Sequence, residues 1–167
     1  MEDGYKIRSM KKAFNIIIGL AALVMAVASC QKEEPEYSHD PTLVGEWHLV
    51  SAEAEGESIM TDIDVYLSIN EEGLFELYQM SGTQSLRYEL YKGKCKTANG
   101  IVTGTYSNGK AWGAKYYYTK TADGLRLQTT NKIEQQVYVN CQIPASVKEN
   151  ANNVSTKAAG TAGSPIL

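Results

Sequence analysis

The sequence predicts an all-β domain over residues 43–143, an eight-stranded antiparallel up-and-down β-barrel. Three observations lead there. Turn signals recur at short, regular intervals, at Asn70-Glu71-Glu72-Gly73, Ser81-Gly82, Asn99-Gly100, Asn108-Gly109 and Asp123-Gly124. Asn, Asp and Gly tolerate the positive φ angles of tight hairpin turns. The runs between them are rich in Val, Ile, Thr, Tyr and Leu and alternate with period two, as half-buried strands do. Nearly every connection is of hairpin length, which favours sequential antiparallel neighbours over crossovers.

The strands fall at about 44–53, 62–69, 74–80, 86–96, 101–107, 110–119, 125–130 and 135–142. Ile63, Val65, Leu67 and Ile69 share one face of the second, and Phe75 and Leu77 one face of the third. Trp112, Ala114, Tyr116 and Tyr118 share a face of the sixth, Leu125 and Leu127 of the seventh, and Val137, Val139 and Cys141 of the eighth. Only the connection at 56–61 has room for a helical turn. A meander with one apolar face hides its edges in a sandwich or a barrel, and closure removes edges altogether. Eight strands enclose a space just wide enough for side chains or one small ligand.

Tyrosine stands out within that span. Nine of the eleven lie between Tyr66 and Tyr138, against one Phe. A tyrosine buries its ring while its hydroxyl reaches solvent or a partner, so girdling and cross-strand pairing account for many of them. A functional account places Tyr106, Trp112, Tyr116 and Tyr118 around a ligand pocket of ring faces and hydroxyls, suited to a sterol, an aromatic metabolite or a sugar.

The first thirty residues have another organisation. Lys11 and Lys12 precede an apolar run from Ala13 to Val27, followed by Ala28, Ser29 and Cys30. A positive start, a short apolar middle and small residues at a cut site make a secretory signal, and the run falls short of the ~20 apolar residues of a bilayer span. Met10-Lys11-Lys12 alone makes a complete signal start. Val27-Ala28-Ser29-Cys30 resembles the lipobox of bacterial lipoproteins. The resemblance implies lipidation of Cys30 and cleavage before it, which divides the chain into a signal peptide (1–29), a lipidated N-terminus with a flexible acidic stalk (30–42), the barrel (43–143) and a tail (144–167). One acyl chain anchors weakly and two or more stably, so the three chains of a mature bacterial lipoprotein imply a permanent membrane tether. Gln31-Lys32-Glu33-Glu34 is similar to the export signal of Bacteroidota-type surface lipoproteins, which implies the outer membrane and a position facing the cell exterior.

Removing residues 1–29 leaves 138 residues with 12 basic and 17 acidic side chains, a net charge of −5. No cluster of Lys and Arg marks a nucleic-acid partner. The tail is mostly Ala, Asn, Ser, Thr, Gly and Lys, too poor in large apolar residues to offset its ordering entropy. It is expected to be largely mobile, apart from a helical turn over 146–150.

The first strand adds a second resemblance. Leu43-Val44-Gly45-Glu46-Trp47 resembles the Gly-x-Trp opening of the lipocalins and the wider calycin group. The spacing of Tyr88, Tyr91, Gly93, Gly104-Thr105-Tyr106 and Trp112 is similar to that of lipocalin-like domains in Bacteroidota lipoproteins. The likeness implies a barrel closed at one end, with Gly45 permitting close approach and Trp47 as the plug. Two features depart from the family. Its Thr-Asp-Tyr segment between the sixth and seventh strands is absent, and the arginine that stacks on the tryptophan has Arg126 as its nearest candidate.

The expectation for chemistry is a non-enzyme without cofactor or metal. His39 falls in the stalk, and His48, next to Trp47, faces outward into solvent. Asp62 and Asp64 share a strand face at i, i+2 and read as its wet side. No Ser or Cys has a His–carboxylate arrangement for nucleophilic attack. Cys95 and Cys141, on opposite sides of a barrel, are too far apart to bridge and are expected as buried free thiols. The functional expectation is therefore a lipid-anchored barrel that binds a small hydrophobic, aromatic or glycan-like ligand. The alternative is a protein-interaction module with a filled interior, or an inhibitor of a secreted enzyme acting through loops such as 81–85. Oligomeric state is not legible.

Overall fold

The computed structural model describes residues 39–60, 62–81, 87–154 and 164–167. The signal segment, Cys30 and the stalk up to residue 38 lie outside the described residues, as does the loop at 82–86. After a 3-10 turn at Pro41–Leu43, the strands are β1 (Gly45–Ala54), β2 (Glu57–Ser58), β3 (Ile63–Ile69), β4 (Leu74–Ser81) and β5 (Glu89–Ala98). Then come β6 (Ile101–Tyr106), β7 (Tyr116–Lys120), β8 (Gly124–Thr129), β9 (Glu134–Asn140), a short helix α1 (Ala145–Glu149) and β10 (Asn152–Asn153).

Apart from β2 and β10, each strand pairs antiparallel with its chain neighbour, from β1 to β3 and on through β9. β9 then pairs with β1, Leu49 opposite Tyr138, and the eight-stranded barrel is closed. Seven strands lie close to their expected places. The exception is the sixth, expected at 110–119. It begins only at Tyr116, because Gly109 turns with φ 85° and Trp112 leaves the strand path to lay its ring across Gly104. Where the connection at 56–61 had room for a helical turn, its described residues 56–60 hold the short strand β2, paired back on β1.

Inward residues keep period two around the barrel: Trp47 and Leu49, Val65 and Leu67, Phe75 and Leu77, Leu125 and Leu127 are all buried. β1 has one slip of phase. A register shift between Leu49 and Ser51 leaves Val50 46% exposed and makes Ala52 the next buried residue, which is what a bulge does to alternation. Two inward glycines, Gly93 and Gly104, stand where rings need room. A Cβ at Gly93 would press on Phe75, and one at Gly104 on Trp112, both inside the 3.0 Å limit of real contacts. Phe75, Trp112 and Tyr116 thus meet edge to face across the interior, with centroids 5.3 and 6.1 Å apart. Cys95 is free and buried beside them, its thiol pushed up to about 11 by burial. Cys141 is also free but only half-buried, short of the full burial expected.

The tail departs most from expectation. Instead of being largely mobile beyond one turn, it is docked in two places. Helix α1 lies on the barrel exterior, where Ile143 and Val147 cover Tyr78 and Leu90. Glu46 holds it there. One carboxylate oxygen accepts from the Ile143 N–H at 2.7 Å, and the other pairs with Lys148 Nζ at 2.6 Å. Burial alone would raise the Glu46 pKa, but these two donors outweigh it and hold the carboxyl below the usual glutamate value. A carboxyl depressed in the folded state stabilises it above the unfolded pKa, and that stability is lost as pH falls through the folded value. Unfolding free energy should therefore decline below about pH 4.5, and Glu46→Gln should flatten that decline in denaturant titrations across pH. Identical acid profiles for the two proteins would show that Glu46 contributes nothing. The second docking place is inside the barrel.

Candidate functional site

Because neighbouring strands alternate in direction, the starts of β1, β4, β6 and β8 share one end of the barrel with the ends of β3, β5, β7 and β9. That end is shut. Leu43 and Trp47 are each 1% exposed, and the Trp47 indole N–H donates to the Leu43 carbonyl at 3.1 Å. Gly45 lies under the indole, where a Cβ would come within 3.1 Å of the ring. The cation over the ring is Lys120, its Nζ 5.6 Å from the centroid, while Arg126 is exposed on the outer face. His39 and Asp40, expected in a free stalk, are packed here. His39 lies against Gly73, and Asp40 caps the 3-10 turn through the Thr42 N–H.

Tyr118 belongs to this closed end. Its hydroxyl donates to Asp40 at 2.7 Å, so it does not line a pocket with the other three expected residues. Tyr106, Trp112 and Tyr116 do face the interior, all nine-tenths or more buried.

The opposite end gathers Gln79 from the end of β4, Tyr91 from the start of β5, Tyr106 from the end of β6, Tyr116 from the start of β7 and Gln136 from the start of β9. Gln79 and Gln136 are only 4% and 2% exposed. A buried amide without partners costs ~1–3 kcal/mol, and both find partners in the chain's last described segment. Gln79 accepts from the Ile166 N–H at 2.8 Å and donates to the Ser164 carbonyl at 3.2 Å. Gln136 and the Tyr116 hydroxyl both donate to the Ile166 carbonyl, at 3.1 and 3.4 Å. The Tyr106 hydroxyl donates to the Leu167 carbonyl at 2.6 Å. The Leu167 side chain, 2% exposed, joins the core.

Every one of these hydrogen bonds is to main chain. Burial raises the Tyr106 and Tyr116 hydroxyls, the latter to about 12, so both act as neutral donors at physiological pH. Gln136 is oriented by the buried Tyr138 hydroxyl, which donates to its carbonyl oxygen at 2.7 Å. The segment suits the slot. Pro165 has no N–H to leave unpaired, and it biases Ser164 toward extended backbone. Docking is energetically balanced: burying Leu167 contributes ~1.5–3 kcal/mol and each hydrogen bond ~0.5–1.5 net, against ~1–2 per residue ordered.

One donor inside the barrel is unmet: among the described residues, Trp112 Nε1 has no acceptor. The sequence carries a signal for Gln79 and none for Gln136. Gln79 follows Phe75 and Leu77 on an apolar strand face, whereas the apolar alternation around Gln136 runs over Val137, Val139 and Cys141, and it is the folded barrel that turns Gln136 and Tyr138 inward.

A second cluster lies on the outer face. His48 is not solvated alone as expected: Nε2 lies 2.8 Å from Asp64 Oδ1, and the ring stacks on Tyr66 at 4.4 Å. With the carboxylate ionised, that contact needs a proton on Nε2. The Tyr88 hydroxyl donates to the other oxygen of Asp64. Asp62 sits in the turn before β3 with φ 59°, outside the strand, so the two aspartates do not form a pair on one face.

No protein-family model matches the chain, and no curated protein matches it. Among solved structures it is similar to the crystal structure of a lipoprotein YedD from Klebsiella pneumoniae subsp. pneumoniae. Identity is 13% and the TM-score 0.42, over 66% of this chain and 82% of that one. A likeness at that level says nothing of what either protein binds.

Proposed function

We propose that this chain is a lipoprotein of the bacterial outer membrane, tethered through acyl chains on Cys30 and facing the cell exterior. Its barrel is a non-enzymatic interaction module for a protein partner of the envelope. The observation behind the module reading is the filled interior. Phe75, Trp112 and Tyr116 occupy its middle and Ser164–Leu167 its open end, so the expected pocket for a small ligand is taken by the chain itself. The unmet Trp112 N–H favours a second reading, in which a small ligand bearing an acceptor displaces the segment.

Two experiments test this. Wild type should carry acyl chains on an N-terminal Cys30, read as the mass of residues 30–167 plus the acyl groups, whereas Cys30→Ala should carry no acyl mass. Wild type should be cut by protease added to intact cells. A wild-type protein without acyl mass on Cys30 refutes the lipid tether, and protection in intact cells refutes the outward orientation. Native mass spectrometry of residues 31–167, incubated with envelope extract, tests the module. A protein partner without small-molecule adducts supports it, whereas a retained small molecule lost on Tyr116→Ala establishes the second reading.

A further inference from the structure

We infer that the open end of the barrel is a recognition slot for an extended, apolar peptide segment, and that Ser164–Leu167 is its occupant in cis, displaced when a partner's segment enters. The inference deepens the interaction-module reading and rests on it.

The argument is chemical complementarity. Two buried glutamines with two buried tyrosine hydroxyls are a costly composition for a core, and in this barrel they converge on one strand of main chain. Gln79 presents an acceptor to the Ile166 N–H and a donor to the Ser164 carbonyl, the same donor–acceptor pair that a neighbouring β-strand would present. Backbone pairing with pockets for alternate side chains is how extended peptides are bound at sheet edges. Here the closed barrel has no free edge, and side-chain amides take that role. The hydrogen bonds to Ser164–Leu167 come from neutral amides and hydroxyls, and Leu167 is buried in the core, so the slot suits an extended segment with apolar side chains such as Ile166 and Leu167.

The test uses the full mature chain with a site-specific protease sequence inserted after Lys157. Cutting converts residues 158–167 from a tethered to a free ligand, removing the roughly millimolar effective concentration of a tether. Fluorescein-labelled peptide of residues 158–167 should then bind the cut protein saturably, and the uncut protein at least about tenfold more weakly. N-methylation of the peptide's Ile166 amide removes the donor to Gln79 and should weaken binding about tenfold, as should Gln79→Leu in the protein.

Absence of peptide binding to the cut protein overturns the inference, as does equal binding of the N-methylated peptide. Loss of cooperative unfolding on cutting also overturns it, because the segment would then be a permanent part of the core. A Gln79→Leu chain that keeps its envelope partner refutes the slot and leaves the module reading standing. Peptide binding without any envelope partner supports the slot and refutes that reading.

Discussion

Trp47→Ala lowers the unfolding free energy by about 3–5 kcal/mol, the range for deleting a fully buried aromatic side chain. Trp47 is 1% exposed, closes one end of the barrel, bonds the Leu43 carbonyl and lies beneath Lys120. Domains of this size carry ~5–15 kcal/mol in total, so the variant stands near the threshold of folding. Trp47→Phe keeps most of the ring and loses the bond to Leu43, at a cost of about 1 kcal/mol for the hydrogen bond plus the lost volume. Urea unfolding of residues 31–167 reads both. Equal losses in the two variants would mean that the hydrogen bond, and not the packing of the ring, closes this end.

Gly104→Ala tests the interior. In the middle of a strand, replacing Gly by Ala ordinarily stabilises by ~0.5–1 kcal/mol through backbone entropy. Here the new methyl meets the Trp112 indole inside 3.0 Å, and overpacking costs ~1–3 kcal/mol. The net expectation is destabilisation, reversed in sign from the usual substitution. Trp112→Leu removes the obstructing ring, so the double variant should lose less than the sum of the singles, with a coupling of ~0.5–3 kcal/mol. Strict additivity in a double-mutant cycle would show that Trp112 does not rest on Gly104. Tryptophan fluorescence adds a second readout, because a displaced Trp112 shifts to the red while Trp47 stays buried.

The elements most legible in the chain were those written in local chemistry. β3 and β4 alternate residue by residue on either side of the Asn70–Gly73 turn, and the inward set of Val65, Leu67, Phe75 and Leu77 survives folding, with Tyr78 buried in addition because α1 covers it from outside. β7 was less legible because Trp112 and Ala114 continue the alternation of Tyr116 and Tyr118, although the backbone before Tyr116 is not a strand. What bends it is the space over Gly104, eight residues earlier across the Asn108-Gly109 turn, where the Trp112 N–H pairs with the Gly104 carbonyl and the indole takes the room that a Cβ would fill. His48 read as solvated because Asp64, its partner, is 16 residues away across a hairpin. The candidate pocket was half legible: Tyr106 and Tyr116 face one interior site, whereas Tyr118 answers to Asp40 at the other end, 78 residues away.

By itself the sequence determined the strands, their turns and their antiparallel order, because period-two burial and positive-φ turns act over a few neighbouring residues. It also carried the Cys30 motif on which the proposed tether rests. What occupies the barrel was decided only by tertiary structure. A tail of Ala, Ser, Thr and Gly shows no local reason to be buried. Its last four residues are held by amides and hydroxyls up to 87 residues distant, which only the closure of the barrel brings to one place.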